Sequence, residues 1–491
     1  MTRAFPAKDR TNCPAALFLA LYEETEQVDR GTLFDAKKVP PLVKKEIDDA
    51  LSQNDAAAVM AVLIPLLNRH ASNTLERLGR VLAVMKALDE RLLLIHPRTL
   101  KLAPSMATPP PKPEWLRELQ DRRRLYGAYA VSTTSRLLAR GPLLRNARSE
   151  GDDNAVTLAD YFSALGVAPM QLRQEGRPIK AAHQVVAADV ARGLVPGAAH
   201  GTESVAFIPV AELAAHIDMQ QRDDDGKSYL RVEIPPDVNP AQRIEAALLA
   251  APKVDIALAP ELVVPEFHAR ALPGMMHKLG GKAPRLLVAG SGATTALCQR
   301  GKPWNEAWIL NGQGSVLWRQ RKIWPAGIRE NLAQRLGLKG NPDALLMEDY
   351  AAGDELSVVD IDTLGRCVVL ICQDMVEPMM TLEMLMRYQP DWVFVLILDR
   401  GIGEGRWAHG KALDLSGHSQ ARFLAVSSLS MADKLGEKDA KCALSVGPRF
   451  DKDGRQDRLF KLTGIEPGSS PGYALATWGS GLWSETRITT Q

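Results

Sequence analysis

Several features that would place this chain in a specialised class are scarce or missing. Cysteine is sparse, at five of 491 residues, and Cys13, Cys298, Cys367, Cys372 and Cys442 show no tight spacing. That excludes a disulfide-stapled scaffold and points to reduced thiols in a cytoplasmic protein. Cys367 and Cys372 lie an odd number of positions apart in an apolar run, so as strand residues they would point to opposite faces and could not share a metal ion. The nine histidines include no HExxH and no clustered ligand spacing, so no metal is expected. Net charge is only +2, which removes any global pull towards nucleic acid or an anionic membrane. No apolar run approaches the roughly 18 residues of a membrane span. Ala15–Leu21 is apolar, but Glu23 and Glu24 follow without a small-residue cleavage pattern, so no signal peptide is expected. Two cofactor-type and hydrolase-type strings fail on context. Gly401-Ile402-Gly403-Glu404-Gly405-Arg406 lacks the last glycine of a dinucleotide fingerprint. In Gly468-Ser469-Ser470-Pro471-Gly472 a proline follows the central serine and no helix pattern begins there. No cofactor is expected.

What is present is a soluble, globular composition, 46% hydrophobic and 24% charged, on a chain too long for one ordinary core. From Ala56 to Ile95 apolar residues recur at three and four (Val59, Val62, Leu63, Leu66, Leu67, Leu78, Val81, Leu82, Met85), which predicts helix and makes 1–96 a helical region. Pro104 and Pro109-Pro110-Pro111-Lys112-Pro113 interrupt that pattern and make 97–114 a linker. Residues 115–222 read as helical again, with a patch from Lys180 to Arg192. Their arginines (Arg122, Arg123, Arg124, Arg136, Arg140, Arg145, Arg148) give a basic surface. A solvated helical face accounts for it better than a nucleic-acid site, because no aromatic residues interleave with the basic ones.

The polar stretch Gln220–Gly226 marks a change of texture. Beyond it, short β-type runs at 228–234, 254–259, 285–290, 306–311, 315–320, 356–361, 367–372, 391–397, 422–428 and 442–446 alternate with turns and helical inserts at 241–251 and 377–388. That alternation indicates an α/β sandwich over 223–491.

The chemistry-bearing residues sit at the ends of these runs. Cys372 closes Val368-Val369-Leu370-Ile371, Glu261 closes Val254–Pro260, and Lys322 closes Ser315–Arg321. A thiol that attacks an amide or nitrile carbon needs a base for its proton, a cation or N–H pair for the oxyanion, and an acid for the departing nitrogen. Glu261, Lys322 and Cys372 are of those types, and Glu330, beyond a turn with Pro325 and Gly327, is a further carboxylate able to brace the lysine. Each alone is ordinary: a cysteine in an apolar run is usually core, and Lys322, with Arg319 and Arg321 around it, could be a surface lysine. Together they suggest cysteine-mediated acyl transfer.

On these motifs, residues from about 226 to 485 resemble the nitrilase, or carbon–nitrogen hydrolase, superfamily. Val254–Leu262 looks like its strand ending in Pro-Glu-Leu. Asn311-Gly312-Gln313-Gly314 with Trp318–Lys322 looks like its glycine turn and Arg-Lys strand. Asp360–Arg366 with Ile371-Cys372-Gln373-Asp374 looks like its Gly-Arg turn and Cys-x-Asp element. His418–Ser427, and Gly447 with Asp451-Lys452-Asp453-Gly454, resemble later elements. The resemblance implies an αββα sandwich with an appended, mainly α-helical N-terminal domain. It assigns Cys372 as nucleophile, Glu261 as general base and acid, Lys322 as oxyanion stabiliser and Glu330 as second glutamate, with the Gln373 backbone N–H in the oxyanion hole. It also implies homo-oligomers and a small amide or nitrile substrate. The chain departs from the pattern at Glu377-Pro378, a reversed Pro-Glu pair, and at Leu398–Glu404, where Asp399, Arg400 and Glu404 suggest a polar substrate.

A second reading, of another class, makes this a nitrilase-like binding or regulatory module, of the kind found beside other modules in bacterial defence proteins, with 1–222 docking a protein partner. The intact set Glu261, Lys322, Glu330 and Cys372 favours the enzyme.

Overall fold

The structure, a computed structural model, describes residues 13–36, 38–97, 112–141, 158–173, 176–187, 202–224, 227–298, 300–362, 364–419, 421–449, 455–462, 470–479 and 482–486. Most of the expected linker at 97–114, the arginines at 145 and 148, and the turn at 451–454 lie outside them. Two compact units divide the chain. One holds residues up to 172 with 183–185 and 387–389, and the other holds 173–182, 186–386 and 390–491.

In the first unit the three-and-four periodicity becomes helices Ala56–Asn68 and Thr74–Leu92, joined by Pro14–Thr25 and Pro41–Leu51. Asp55 and Asn73 cap the two periodic helices by accepting the N–H of Ala58 and Glu76, which satisfies donors that have no partner inside a helix. Phe18, Leu63, Leu66, Val84 and Met85 are fully buried between them. The same unit contains a small antiparallel sheet of Ala130–Val131, Ser135–Ala139 and Leu165–Pro169. Its last strand is pinned by the buried Asp89 carboxylate, which accepts the N–H groups of Ser163, Ala164 and Leu165.

Among the described residues, the helical expectation for 115–222 is replaced, after the helix Glu114–Tyr126, mainly by strand. Over Ile179–Val186 burial alternates, with Ile179, Ala181 and His183 inside. Alanine content there suggests helix, but the period of two and a neighbouring strand decide the outcome. Gln220–Gly226 is not a boundary either: its residues up to Asp224 belong to the strand Asp218–Asp224, which pairs antiparallel with Lys227–Glu233 inside one unit.

The second unit is built on two sheets. One runs Val316–Arg321, Pro303–Asn311, Leu286–Leu297, Ile256–Leu258, Ser204–Phe207, Ala474–Gly479 and Leu482–Thr486. The other runs from Arg455–Phe460 through Ala443–Pro448, Arg422–Ser427, Trp392–Ile397, Gly365–Ile371 and Glu355–Ile361 towards Ile179–Val186. In both, the central strands are parallel and apolar on both faces, as covered parallel strands must be. Phe207, Ile256, Leu258 and Val288 of the first sheet share one core with Val369, Ile371, Phe394, Leu396 and Val426 of the second. The alternate residues Ala206, Ala257 and Leu287 pack instead with Ile244, Leu248, Leu272 and Met276 of helices Pro240–Ala250 and Leu272–Leu279. Helix Trp407–His418 packs on strands Arg422–Ser427 and Ala443–Pro448. The unit is thus a mixed α/β structure with sheet packed on sheet. A smaller sheet adds Gly327–Ile328, Leu346–Glu348, Lys227–Glu233 and Asp218–Asp224. Among the described residues no helix is long and apolar enough to cross a membrane.

Candidate active site

Four strands of the second unit end at one place. Glu261 lies just past Ile256–Leu258, Lys322 just past Val316–Arg321, Cys372 just past Gly365–Ile371, and Leu398 and Asp399 just past Trp392–Ile397. The carboxyl ends of parallel strands are where backbone and side chains can converge on a ligand in open α/β sheets.

Local sequence explains how each is aimed. The bulge at Ala289-Gly290 in strand Leu286–Leu297 and the Ser291-Gly292 that follow it grip the Glu261 loop. Ser291 N–H donates to the Pro260 carbonyl at 3.1 Å, and Val264 N–H donates to the Ser291 carbonyl at 3.0 Å. A Cβ at Gly290, whose φ is +81°, would lie 2.6 Å from the Pro260 oxygen, and one at Gly292 2.5 Å from the Pro265 nitrogen. Only glycine allows backbones this close. Cys372 itself has a φ of +49°, a left-handed conformation that costs a non-glycine residue about 1–3 kcal/mol and tends to persist where a site requires it.

The charges are buried together. Lys322 is 1% exposed and Glu261 0%, and the Lys322 ammonium donates to Glu261 Oε1 at 2.7 Å. It also donates to both oxygens of Glu348, at 2.9 and 2.7 Å. Asn305 Nδ2 donates to Glu261 Oε1 at 3.0 Å and Leu398 N–H to Oε2 at 3.1 Å. Each Glu261 oxygen is therefore fixed by a donor. Burial pushes the Glu261 carboxyl up to about 7, with Glu348 adding to the rise and Lys322 opposing it. Burial works against the Lys322 ammonium, but Glu261 and Glu348 overcome it and hold its pKa well above the ordinary value. The Cys372 thiol is raised well above its usual range, first by burial, then by Glu261, with Lys322 opposing and Glu348 and Asp399 adding. Both shifts favour the uncharged form of the thiol and of the carboxyl group over the ionised one.

Glu330 does not join this cluster. It begins the helix Glu330–Arg335, accepts from Gln334 Nε2 at 3.0 Å and packs over Gly340. The second carboxylate on Lys322 is Glu348, from the strand Leu346–Glu348. Glu348 occupies a buried position of a short alternating strand, and a carboxylate on the apolar side of Leu346-Met347-Glu348 was the available signal. Asp374 and Asn305 are two further residues that spacing alone did not single out. Asp374 is fully buried and accepts the N–H groups of Ile323, Trp324 and Ile371.

Gln373 stands at the start of the tight turn Cys372–Met375, where backbone N–H groups have no acceptor within the turn; its side chain reaches Glu377 at 3.4 Å. Asp399 accepts from Trp407 Nε1 at 2.8 Å and from Arg400 N–H at 2.7 Å. The Arg400 guanidinium approaches Glu437 at 3.7 Å. Trp324 carries the Arg177 guanidinium 5.3 Å from its ring centre. Among the described residues no group of three His, Cys, Asp or Glu could hold a metal ion.

No protein-family model matches the chain, and no curated protein matches it. Solved structures do. An amidase from Nesterenkonia sp. is 15% identical, with 57% of this chain and 92% of that one covered and a TM-score of 0.35. A cysteine-to-alanine variant of the Nesterenkonia AN1 amidase, described as from the nitrilase superfamily, is 16% identical, with 58% and 93% covered and a TM-score of 0.35. A glutamate-to-leucine variant shows covalent addition of the acetamide moiety of fluoroacetamide at its active-site cysteine. It is 14% identical, with 57% and 93% covered and a TM-score of 0.34.

Proposed function

We propose that the second unit is an αββα nitrilase-like sandwich and a cysteine-dependent carbon–nitrogen hydrolase acting on a small, non-peptide amide or related C–N bond. One observation carries this reading: a buried lysine is held between two glutamates in the same electrostatic neighbourhood as a strained, buried cysteine at the strand ends.

The reaction follows from those groups. Glu261 takes the Cys372 proton as sulfur attacks the amide carbon, forming the S–C bond and placing the electron pair on oxygen. The Lys322 ammonium and the Gln373 N–H stabilise that oxyanion. The oxyanion collapses, Glu261 returns the proton to the nitrogen, and ammonia or an amine leaves with the C–N bond's electron pair. Water then attacks the thioester with Glu261 again as base. The carboxylic acid leaves and the Cys372 thiol is restored. Glu348 keeps Lys322 protonated and aimed, the part expected of Glu330. Asp399 and Arg400 favour a polar substrate.

The test is a metabolite-extract incubation that compares the wild type with Cys372→Ala. The reading expects amides consumed and acids accumulated only by the wild type, together with a Cys372 thioester detectable by mass spectrometry in wild type quenched with acid during turnover. Amide consumption that persists in Cys372→Ala would sink it.

A further inference from the structure

One buried carboxylate in the site has no part in the chemistry above. Asp374 is fully buried, and its side chain joins two segments about fifty positions apart in the chain. Oδ1 accepts the Ile323 N–H at 3.0 Å and the Trp324 N–H at 2.9 Å, the two residues directly after Lys322. Oδ2 accepts the Ile371 N–H at 3.1 Å, the residue directly before Cys372. The main chain of Asp374 is itself held, because the Thr381 hydroxyl donates to its carbonyl at 2.8 Å. Lys322 is fixed on its other side by backbone bonds from its N–H to the Asn305 carbonyl and from Gly353 N–H to its own carbonyl, both 2.8 Å.

We infer that Asp374 is a positioning residue that sets the Lys322 ammonium and the Cys372 thiol in register for acyl transfer. The inference rests on the hydrolase reading above. Hydrogen bonds are directional, and three accepted by one buried side chain leave little freedom for either loop. The chemistry needs that rigidity. A displacement of about 1 Å at an oxyanion donor or nucleophile costs on the order of a hundredfold in rate. Cys372 also sits at +49° in φ, so its turn must be held by bonds outside it. Aspartate suits the task better than asparagine. Asn could still accept the Ile323 and Trp324 N–H groups through its oxygen, but it would set an NH2 against the Ile371 N–H.

The test uses the intrinsic differences among the cysteines. Cys367 and Cys442 are fully buried, whereas Cys298 is partly exposed. The full chain is treated with iodoacetamide at neutral pH, and alkylation of each cysteine is timed by mass spectrometry in wild type and Asp374→Asn. The positioning role expects Cys372 to be alkylated about tenfold or more slowly in the variant, with Cys298 unchanged and Cys367 and Cys442 still protected. A merely structural role moves the readout the other way, with Cys367 and Cys442 exposed and Cys372 alkylated faster. An unchanged Cys372 rate in a folded variant also overturns the inference while leaving the hydrolase reading intact. Amide turnover that persists in Cys372→Ala sinks the hydrolase reading and the inference with it. If Asp374→Asn does not fold, Thr381→Val, which removes only the bond to the Asp374 carbonyl, carries the test. It is expected to slow Cys372 about threefold with the buried cysteines protected, and an unchanged rate overturns the inference.

Discussion

The two ends of the same parallel strands both bury charge, and they differ in what the charge does. At the amino-terminal ends, Arg422 pairs with Glu203 at 3.1 Å with both side chains almost wholly buried, and the Arg422 guanidinium lies 3.3 Å from the centre of the Trp392 ring. Nearby, Arg366 pairs with Asp360 at 2.6 Å, and the Asp391 carboxylate accepts the Arg366 N–H at 2.7 Å. There each arginine has a carboxylate partner, Arg422 stacks on the Trp392 face, and the neighbouring thiol, Cys367, is fully buried and donates to the Gly365 carbonyl. At the carboxyl ends, Lys322 faces Glu261 and Glu348 and electrostatically feels Cys372, while Asp374 and Asp399 add further acid. Buried charge alone therefore does not mark a site. An acid excess around one cation and a thiol, at strand ends open to loops, is what the proposed chemistry draws on.

The largest effect that would break this contrast is on the nucleophile. Cys372→Ala is expected to reduce amide turnover by at least about 10⁴-fold, the scale of removing a nucleophile that acts as part of a unit, measured as kcat/KM on whichever amide the extract screen identifies. Cys442→Ala, a fully buried thiol that donates to the Phe460 carbonyl rather than to any residue bonded to Lys322, should leave turnover within about twofold once refolding is normalised. Next comes the cation. Lys322→Met removes the oxyanion donor and leaves Glu261 and Glu348 face to face, so turnover should fall about 10³-fold and unfolding by urea should show a loss on the order of 3–5 kcal/mol.

Arg422→Met is the matching change at the opposite end. It strips the partner from buried Glu203, so a stability loss of about 3–5 kcal/mol is expected, with kcat of the remaining folded protein within about twofold of wild type. A loss of kcat as large as that of Lys322→Met would show that the amino-terminal charges belong to the chemistry.

The pH profile separates the two ends in a different way. Glu261 must be ionised to take the thiol proton, and burial sets its pKa at about 7. Turnover should therefore be level above that pH and fall about tenfold per unit below it. The sign for stability is opposite. A carboxyl whose folded pKa lies above its unfolded value binds its proton more tightly in the fold, so the contribution of Glu261 and of Asp374, also raised to about 7 by burial, is full below about pH 4 and is lost as pH rises through 7. Activity that stays level down to pH 5 would remove Glu261 from the role of base.

Much of this contrast could be read in the chain before the fold was known, because strand periodicity places residues at strand ends. The runs ending at Glu261, Lys322 and Cys372 are strands in the structure, each followed within three residues by the named side chain. What spacing could not supply was contact across the fold. Glu348 reaches Lys322 from a three-residue strand in a separate sheet, and no local pattern announces that pairing. The segment Ile179–Val186 failed for the complementary reason. Its alanines fit a helix, and only the adjoining strand, distant in sequence, decides otherwise.

The smallest expected effect is also the one that sharpens the contrast most. Glu330 and Glu348 are both carboxylates downstream of Lys322, and only Glu348 touches its ammonium. Glu348→Gln keeps the shape and one acceptor but gives up the charge that helps hold Lys322 protonated and aimed, so kcat should fall about 10–100-fold with little change in KM. Glu330→Gln keeps an acceptor for Gln334 and gives up only the charge on the first turn of a short helix, a change worth a few tenths of a kcal/mol, and kcat should stay within about twofold. If Glu330→Gln proves the more damaging of the two, Glu330 rather than Glu348 serves the chemistry, and the carboxyl-terminal charge cluster would have to include a residue that the fold holds apart from Lys322.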